Sequence, residues 1–480
     1  MKKIHLTIFS LLIGWYALAQ NEPRMLTIQE CVEIAIENNL TVRRSQLQLE
    51  QSKVNWNQSR ANQLPNINLN GNYGYQWGRG VDPTSNDFIT QQINFAGAGG
   101  SANVTLFNWF RIANTIKQNK LLYQSTEFDL KKAENDISLM VTTVYLNVIL
   151  NQELVENAEY QLKSSEEQLD RTKKLVAGGA LPRTNELELV SQVATNEVNL
   201  VNAENARDLA MLNLKQVMLL PSVENIQIVV PEIEVDMLDP MEFTAEDVFL
   251  EAVRLMPEIR SAELQVESAV RGVKAAEAGY SPSISASGSF RTNYSDAFQQ
   301  YVIDESVAPT EMQVPTDYVT TNGVEILQNV QIPAGSIETV EFGDQIDQNL
   351  SRSLSLNLNI PIFNNLQARS NVQRAKIGLQ QAEIAVMEQK NTLRQTIESS
   401  YNDALAASKT FQASQKQVQA LEETFRSIQN QYNLGAANFT DYQVASNNLY
   451  RAKSDLVRAK YDYIFKRKII DFYLGKFESL

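Results

Sequence analysis

The side chains that most often carry out chemistry are nearly missing from this chain. Its 480 residues hold one histidine, His5, and one cysteine, Cys31. A lone imidazole and a lone thiol cannot build a His/Cys metal centre, a histidine-based acid–base system or an intrachain disulfide. Cys31 reads either as a reactive thiol or as a small apolar core residue. Its counterpart in the internal repeat described below is Val248, which favours the core reading. Carboxylates are plentiful, with 56 Asp and Glu, but they are scattered on helical polar faces without a glycine-rich loop or a histidine beside them. Paired-carboxylate hydrolysis, as in a glycosidase, is therefore not supported. The expectation is a protein that is not an enzyme and holds no metal and no cofactor. The formal charge of −14 argues against a nucleic-acid partner, which calls for a basic face.

What the chain offers instead is uncharged hydrogen-bonding capacity at regular spacing. Asn66, Asn68, Asn70 and Asn72 alternate with Ile67, Leu69, Gly71 and Tyr73, and Tyr75 and Trp77 continue the second set. Ala102, Val104 and Leu106 alternate in the same way. Later, Ser283, Ser285, Ser287 and Ser289 alternate with Ile284, Ala286, Gly288 and Phe290. Ser353, Ser355, Asn357 and Asn359 do so with Leu354, Leu356, Leu358 and Ile360. Period two with a wholly polar second face suits a transmembrane barrel, lipid outside and water inside, and also a half-buried antiparallel sheet. Rings near the strand ends (Tyr75, Trp77, Phe107, Trp109, Tyr294, Phe363) favour the barrel, because aromatics gather at membrane interfaces.

The elements that must position these strands are long helices. Trp109 to Ala177 contains no Gly and no Pro, follows Asn108 as an N-cap, and runs into Gly178-Gly179-Ala180-Leu181-Pro182. At 1.5 Å per residue it would be about 100 Å long. Val155, Leu162, Leu169 and Val176 form a seven-residue seam of coiled-coil type. Phe411, Val418, Phe425 and Tyr432 repeat that seam in the same register, inside a second long segment, Asn365 to Leu434.

The chain is thus internally doubled. Thr27–Ile67 aligns with Thr244–Ile284 at one constant offset, each copy opening on a capping signature, Thr27-x-x-Glu30 and Thr244-x-x-Asp247. Each is expected to run as one amphipathic helix to just before Pro65 or Pro282. A second offset relates Tyr145 to Tyr401, Gly179-Ala180 to Gly435-Ala436 and Thr184 to Thr440, and the change of offset places an insertion in the second copy. Residues 1–19 read as a signal peptide: Lys2 and Lys3, an apolar run, and Ala17-Leu18-Ala19 as the cleavage site. Repeat 1 is 20–220: a helix, strand–loop–strand over 65–108, a long helix over 109–177, a tip turn and a return helix over 184–219. A linker covers 221–243, with one short strand at Ile226–Val230. Repeat 2 is 244–475: a helix, strand–loop–strand over 281–363, a long helix over 365–434, a tip turn and a return helix over 440–474. Residues 476–480 are the C-terminal end. Gly78–Gly100 and Ser295–Leu350 read as polar loops.

Four strands cannot close a barrel, and an open sheet edge is not tolerated in lipid. Two chains would supply eight strands and three would supply twelve. A water-filled lumen lined by Asn and Ser needs more than the side-chain-filled eight-strand barrel. The physics asks for a ring-shaped oligomer.

With these features in hand, the chain resembles the TolC family of outer-membrane efflux proteins across about Leu26 to Gly475. The resemblance rests on the doubled plan and on two tip turns, Val176 to Asn185 and Tyr432 to Asp441. It implies a mainly α fold with transmembrane β: a homotrimer in which four strands per chain form a 12-stranded outer-membrane β-barrel continuous with a long periplasmic α-helical barrel. It also implies residence in the outer membrane of a Gram-negative bacterium, in contact with lipid. Function would be that of an exit duct docked to a periplasmic adaptor and an inner-membrane transporter, in tripartite efflux or type I secretion, with the pump supplying the energy. Carried over residue by residue, Tyr432 matches the family's gate tyrosine and Asp441 the first aspartate of its constriction. The second aspartate falls on Val444, the basic gate residue on Ala437 and the acidic partner on Asn185, so the usual ionic lock is not expected. Tyr432 could instead bond Asn185, or simply continue the seam. Asp441 could ring the aperture, or favour a helix N-terminus. The expected adaptor contacts are the exposed tip residues Gly179, Leu181, Pro182, Gly435, Ala437, Asn438 and Phe439. The competing reading is a soluble periplasmic coiled-coil scaffold or adaptor-like protein, which has no need of four alternating strands.

Overall fold

The computed structural model describes residues 24–81, 86, 88–90, 92–231 and 243–476. The expected signal peptide, residues 232–242 of the linker and residues 477–480 lie outside them. In chain order the elements are β1 (Arg24–Leu26), α1 (Ile28–Asn38), α2 (Leu40–Ala61), β2 (Asn66–Gln76), β3 (Arg79–Val81), β4 (Phe88–Thr90), β5 (Ile93–Phe107), α3 (Arg111–Ala177), α4 (Arg183–Val217) and β6 (Ile226–Ile228). They continue with α5 (Ala245–Leu255), α6 (Pro257–Glu277), β7 (Ser283–Ser295), β8 (Gln299–Ile303), β9 (Thr310–Val319), β10 (Glu325–Ile332), β11 (Gly335–Thr339), α7 (Phe342–Gln348), β12 (Ser351–Asn359), α8 (Gln367–Asn433) and α9 (Phe439–Tyr473). The chain divides into two compact units. One holds 1–56, 117–270 and 376–480, the other 57–116 and 271–375.

The second unit is built on one antiparallel sheet in the order β12-β7-β5-β2. Its register puts Asn68 opposite Ser101, Ser101 opposite Ser289 and Ser289 opposite Ser353, so the polar positions of all four strands share one face. That face carries its own ladder: the Ser287 and Ser355 hydroxyls are 2.9 Å apart, those of Ser289 and Ser353 2.8 Å. The opposite face is apolar and bare. Ile67, Leu69, Leu354, Leu356 and Leu358 are each more than 60 % exposed. Aromatic groups stand at its two ends: at one, Tyr73 meets Tyr75 edge-on and Tyr75 stacks on Trp77; at the other, Phe107, Trp109 and Phe110 are in edge contact. A strand with one hydrated and one bare apolar face is what the alternating pattern dictates. Both edge strands, β2 and β12, have a single neighbour.

The expected loops are smaller than their composition implied. Gly97, Gly99 and Gly100 lie inside β5, not in a loop. Their glycines serve close packing: a Cβ on Gly100 would meet the Phe290 ring at 2.5 Å and Leu69 at 2.8 Å. The stretch Ser295–Leu350 holds two two-stranded ribbons, β8 with β11 and β9 with β10, and α7. The Gln345 side chain of α7 is fully buried, donates to Ser295 O and accepts from Ser295 N, fastening α7 to β7.

The long helices start two residues later than expected. Trp109 and Phe110 have φ of 53° and 62°, and Asn365 and Leu366 have 52° and 62°, so each helix is preceded by a left-handed pair. Such pairs are costly for side-chain-bearing residues. Asn108 and Asn364 bridge them, their Oδ1 atoms accepting from Ile112 N and Ala368 N. The helices α3 and α8 have 67 residues each, and α4 and α9 have 35 each.

The helix expected before each strand pair is broken in two. Asn39 turns extended and its Oδ1 accepts from Thr41 N and Val42 N, starting α2 afresh. Met256 turns extended because Pro257 follows. Both capping boxes form, Thr27 with Glu30 and Thr244 with Asp247. Hydrogen bonds from the threonines hold both carboxyls below their ordinary range, led by the Thr27 backbone N–H for Glu30 and the Thr244 hydroxyl for Asp247.

Within the helical unit the neighbours run α2–α3–α6–α8. Thr126 donates to Ser52, and Tyr123 stacks on Trp56. The Ser125 and Ser261 hydroxyls are 2.9 Å apart, and Lys390 reaches Glu263 at 3.2 Å. The terminal helices each keep a bare apolar stripe: Leu40, Leu47 and Val54 on α2, and Ile377, Ile384 and Met387 on α8. Among the described residues no helix is long and apolar enough to cross a membrane.

Cys31 is fully buried beside Ala35 and Tyr145, and burial pushes its thiol up to about 12, the behaviour of a core residue and not of a nucleophile. Tyr145 closes the same core. Its hydroxyl donates to Leu26 O at 3.1 Å and Val229 O at 2.6 Å, pinning the parallel pair β1–β6. Tyr145→Phe is expected to lower unfolding stability by about 1–3 kcal/mol, since buried carbonyls lose their donor. Urea unfolding of the detergent-solubilised protein, with protease accessibility at Arg24, checks it.

Candidate functional site

The two helix hairpins end in matching turns. After α3, Gly179 takes φ +75° and the turn is closed by Gly179 N to Val176 O and Ala180 N to Leu175 O. After α8, Gly435 takes φ +74°, closed by Gly435 N to Tyr432 O and Ala436 N to Gln431 O. This is the double bond of a Schellman C-cap, which needs a left-handed residue that glycine adopts without strain. The return helices start differently. Pro182 opens α4 without a side-chain cap, while Asn438 caps α9 by accepting from Asp441 N at 2.8 Å.

The sequence-derived tip residues divide by exposure. Gly179, Pro182, Gly435 and Asn438 are exposed, and Leu181 and Ala437 half-buried. Phe439, expected to be an exposed contact, is buried at 6 %. It packs with Leu189, Tyr442 and Tyr432 in a small core at the end of the hairpins. The first turn of α9 turns its apolar side inward, so Phe439 fastens the tip from within. Leu434, which sequence reasoning passed over, is 85 % exposed. Its signal was available: an apolar residue just before a C-cap glycine.

Tyr432 is half-buried and stacks on Tyr442, centroids 5.1 Å apart and planes 26° from parallel. Its hydroxyl is buried without a hydrogen-bond partner among the described residues. The expected bond to Asn185 is not made within the chain; the Asn185 amide oxygen instead accepts from Thr184 at 3.5 Å. Asp441 is exposed on the first turn of α9, and Val444, which stands where the resemblance places a second aspartate, is 54 % exposed. The basic group missing at Ala437 has a neighbour in space that the sequence did not signal. Arg171 of α3 donates to Asn433 Oδ1 at 3.2 Å, joining the last turns of α3 and α8. Burial pushes the Tyr442 phenol up to about 12, with Tyr450 and Tyr432 adding to the shift and Arg171 opposing it, so Tyr442 stays neutral at physiological pH.

Above the tip, the hairpins meet through polar contacts. Gln443 donates to Gln192 at 2.6 Å, Gln192 to Asn196 at 3.0 Å, and Asn196 to Ser165 at 3.0 Å. Asn157 donates to Ser454 at 2.8 Å, and Glu153 accepts from Lys460 and Tyr461. Such a seam aligns the helices without the apolar burial of an ordinary coiled coil.

The family described as outer membrane efflux protein matches residues 31–218 and 251–476. The chain is 22% identical over 483 residues to the outer membrane protein TolC of Escherichia coli K12, covering 99% of this chain and 87% of TolC. It is also 22% identical over 444 residues to the toluene efflux pump outer membrane protein TtgC of Pseudomonas putida, covering 90% of this chain and 79% of TtgC. Among solved structures it superposes on the Vibrio cholerae outer membrane protein VceC with a TM-score of 0.69 at 14% identity, over 94% of this chain and 97% of VceC. The Campylobacter jejuni CmeC outer membrane channel gives 0.68 at 14%, over 94% and 86%.

Phe439→Ala is expected to cost about 3–5 kcal/mol through the cavity it leaves. Tyr432→Phe is expected to change stability by less than about 0.5 kcal/mol, because it removes an unpaired buried hydroxyl. Urea unfolding together with protease cleavage at the tip turns reads both. A loss of about 1–3 kcal/mol in Tyr432→Phe would instead assign that hydroxyl a partner on a neighbouring copy.

Proposed function

This chain belongs to the outer membrane efflux protein family, and from that premise we propose that three copies close into one conduit through the outer membrane. The protein resides in the outer membrane and acts as an efflux channel. The observation that carries the trimer is the pair of open sheet edges. An unpaired edge in hydrocarbon leaves each backbone group costing several kcal/mol, so β2 of one copy must pair with β12 of the next. Three copies then supply twelve strands, with the bare apolar face toward lipid and the Asn/Ser face toward water.

The helices support the same head-to-tail contact. The chain runs directly from α2 into β2 and from β12 into α8, and these two helices hold the unpartnered apolar stripes. Stripe α2 of one copy covering stripe α8 of the next is a heterologous interface that closes into a ring. The long helices would then line a periplasmic barrel, the internal doubling supplying its staves in pairs.

At the far end the tip turns are the docking surface for a periplasmic adaptor, linked to an inner-membrane transporter that supplies the energy. Gly179, Leu181, Pro182, Gly435, Ala437 and Asn438 form that surface, with Leu434 as the exposed apolar anchor. Phe439 supports it from beneath. Tyr432 and Asn185 hold the closed aperture, the former through its stack on Tyr442 and not through an ionic lock. Asp441, exposed beside the turn, rings the opening. The protein catalyses no reaction.

Light scattering of the detergent-extracted protein, with detergent subtracted, is expected to return three times the mass of the mature chain. A monomer would remove the barrel and leave a periplasmic scaffold. Asp441→Asn is expected to weaken cation selectivity in planar-bilayer recordings. Unchanged selectivity and unchanged cation block would remove Asp441 from the aperture.

A further inference from the structure

The four strands of the sheet contain no aspartate and no glutamate, in a chain of formal charge −14. Their two charged residues are Arg291 and Arg352, and the register puts them on opposite faces. Arg352 stands level with Phe290 on the apolar side, and Arg291 level with Gly99 and Ser351 on the polar side. The polar face is otherwise Asn, Ser, Thr, Gln and Gly, apart from Ile93 and Phe95 at one end.

Arg291 is exposed and borders a cleft of about 420 Å³ that Asn70, Asn72, Gln76 and Asn293 also line. Gly97 lines it, and Gly99 stands opposite Arg291 in the register. A Cβ on Gly97 would strike the Asn72 amide oxygen at 2.7 Å, and one on Gly99 would meet Phe290 O at 3.1 Å. A second polar cleft, of about 680 Å³, lies at the other end of the same face beside Asn66 and Asn103, and its one charged residue is Arg111. Among the described residues no carboxylate lines either cleft. The acidic residues of this unit instead collect in the stretch between β7 and β12, which holds no Lys or Arg.

We propose that Arg291, with the amides of Asn70, Asn72 and Gln76, forms an anion-recognising site on the conduit wall, repeated in each copy. It favours passage of carboxylate-, phosphate- or sulfonate-bearing solutes and of small anions. This rests on the reading above that the polar face lines the conduit. The guanidinium offers a planar fork of donors to an oxyanion, and the amides complete its hydration shell. Its exposure keeps binding weak, as conduction needs: a site must be favourable enough to enter and loose enough to leave. Three such groups at one level would raise the local anion concentration over about one Debye length, roughly 8 Å at physiological salt and 30 Å at 0.01 M.

Reversal potentials across a dilute KCl gradient in planar bilayers test it. Asp441→Asn serves as the common background, so that carboxylates at the tip do not mask the barrel. Arg291→Ser is expected to lower the chloride-to-potassium permeability ratio about threefold, as the loss of a potential of order kT would. Arg291→Glu should lower it further, and Arg291→Lys should stay near the parent. The differences should fade at 1 M salt, where the Debye length is about 3 Å. Conducting channels whose reversal potentials are the same in all four proteins would overturn the site and leave the conduit reading intact. Parent protein that forms no conducting channel would overturn both.

Discussion

The structure depends on pairing the backbone at two strand edges. Strands β2 and β12 each present a row of N–H and C=O groups with nothing beside them in the chain. In water that would be an aggregation hazard; in hydrocarbon it is not tolerated. The sheet's faces make the environment plain, because Leu354 and Leu356 are 87% and 69% exposed, whereas the opposite positions are serines that bond one another across strands. A folded protein does not leave such a surface in water without a function for it. Edge pairing between copies, with lipid around the apolar face, would resolve both problems together, and the helices that adjoin those strands in sequence carry bare apolar stripes.

The second constraint is that very long helices must meet with one alignment along their whole length. Cores of ordinary density occur where α1 packs on α3 and α5 on α8, with Cys31, Ala35, Val248 and Ala252 fully buried at equivalent positions. Toward the tips the contacts turn polar, through Gln192, Asn196 and Gln443, before a last aromatic cluster of Phe425, Tyr432, Phe439 and Tyr442. Neutral polar contacts contribute about 1 kcal/mol each and exchange readily with water. The tip itself is fastened by an aromatic cluster, which salt does not screen. No ionic lock was expected here, since Ala437 and Asn185 bring no charge, and Arg171 donates to the neutral Asn433.

Charge is distributed by the same logic. The excess acid sits on helices and on the ribbon-bearing stretch between β7 and β12, while the strands hold arginine alone. Strand positions that must be apolar on one side and hydrated on the other have no use for carboxylates on the lipid side. Uncharged amides and hydroxyls cover most of the other side, where Arg291 is the one charged strand residue.

Much of this was readable from the chain. Period two over Asn66–Trp77 and Ser283–Phe290, period seven over Val155–Val176, and glycine after each long helix are local signals, because strand pleat, helix pitch and left-handed backbone are set within a few residues. The count of one histidine and one cysteine argued against a His/Cys metal centre, and it left no partner for an intrachain disulfide. Other features needed the tertiary structure. Gly97, Gly99 and Gly100 looked like loop residues, and only the approach of Asn72 and Phe290 makes them strand. Asn39 and Met256 break helices that periodicity would have carried through. Phe439 passed for a surface contact until α9 turned it inward, and the Tyr432 hydroxyl, for which Asn185 was a candidate partner, is buried with none among the described residues. For the glycines and Phe439 the deciding atoms lie far away in sequence, whereas the breaks at Asn39 and Met256 come from residues beside them, Thr41, Val42 and Pro257, that the periodicity overrode. Local pattern determined which elements form and which face of each is wet; which strand lies beside which, which ring is covered and which charge stands alone on a face were decided by long-range packing.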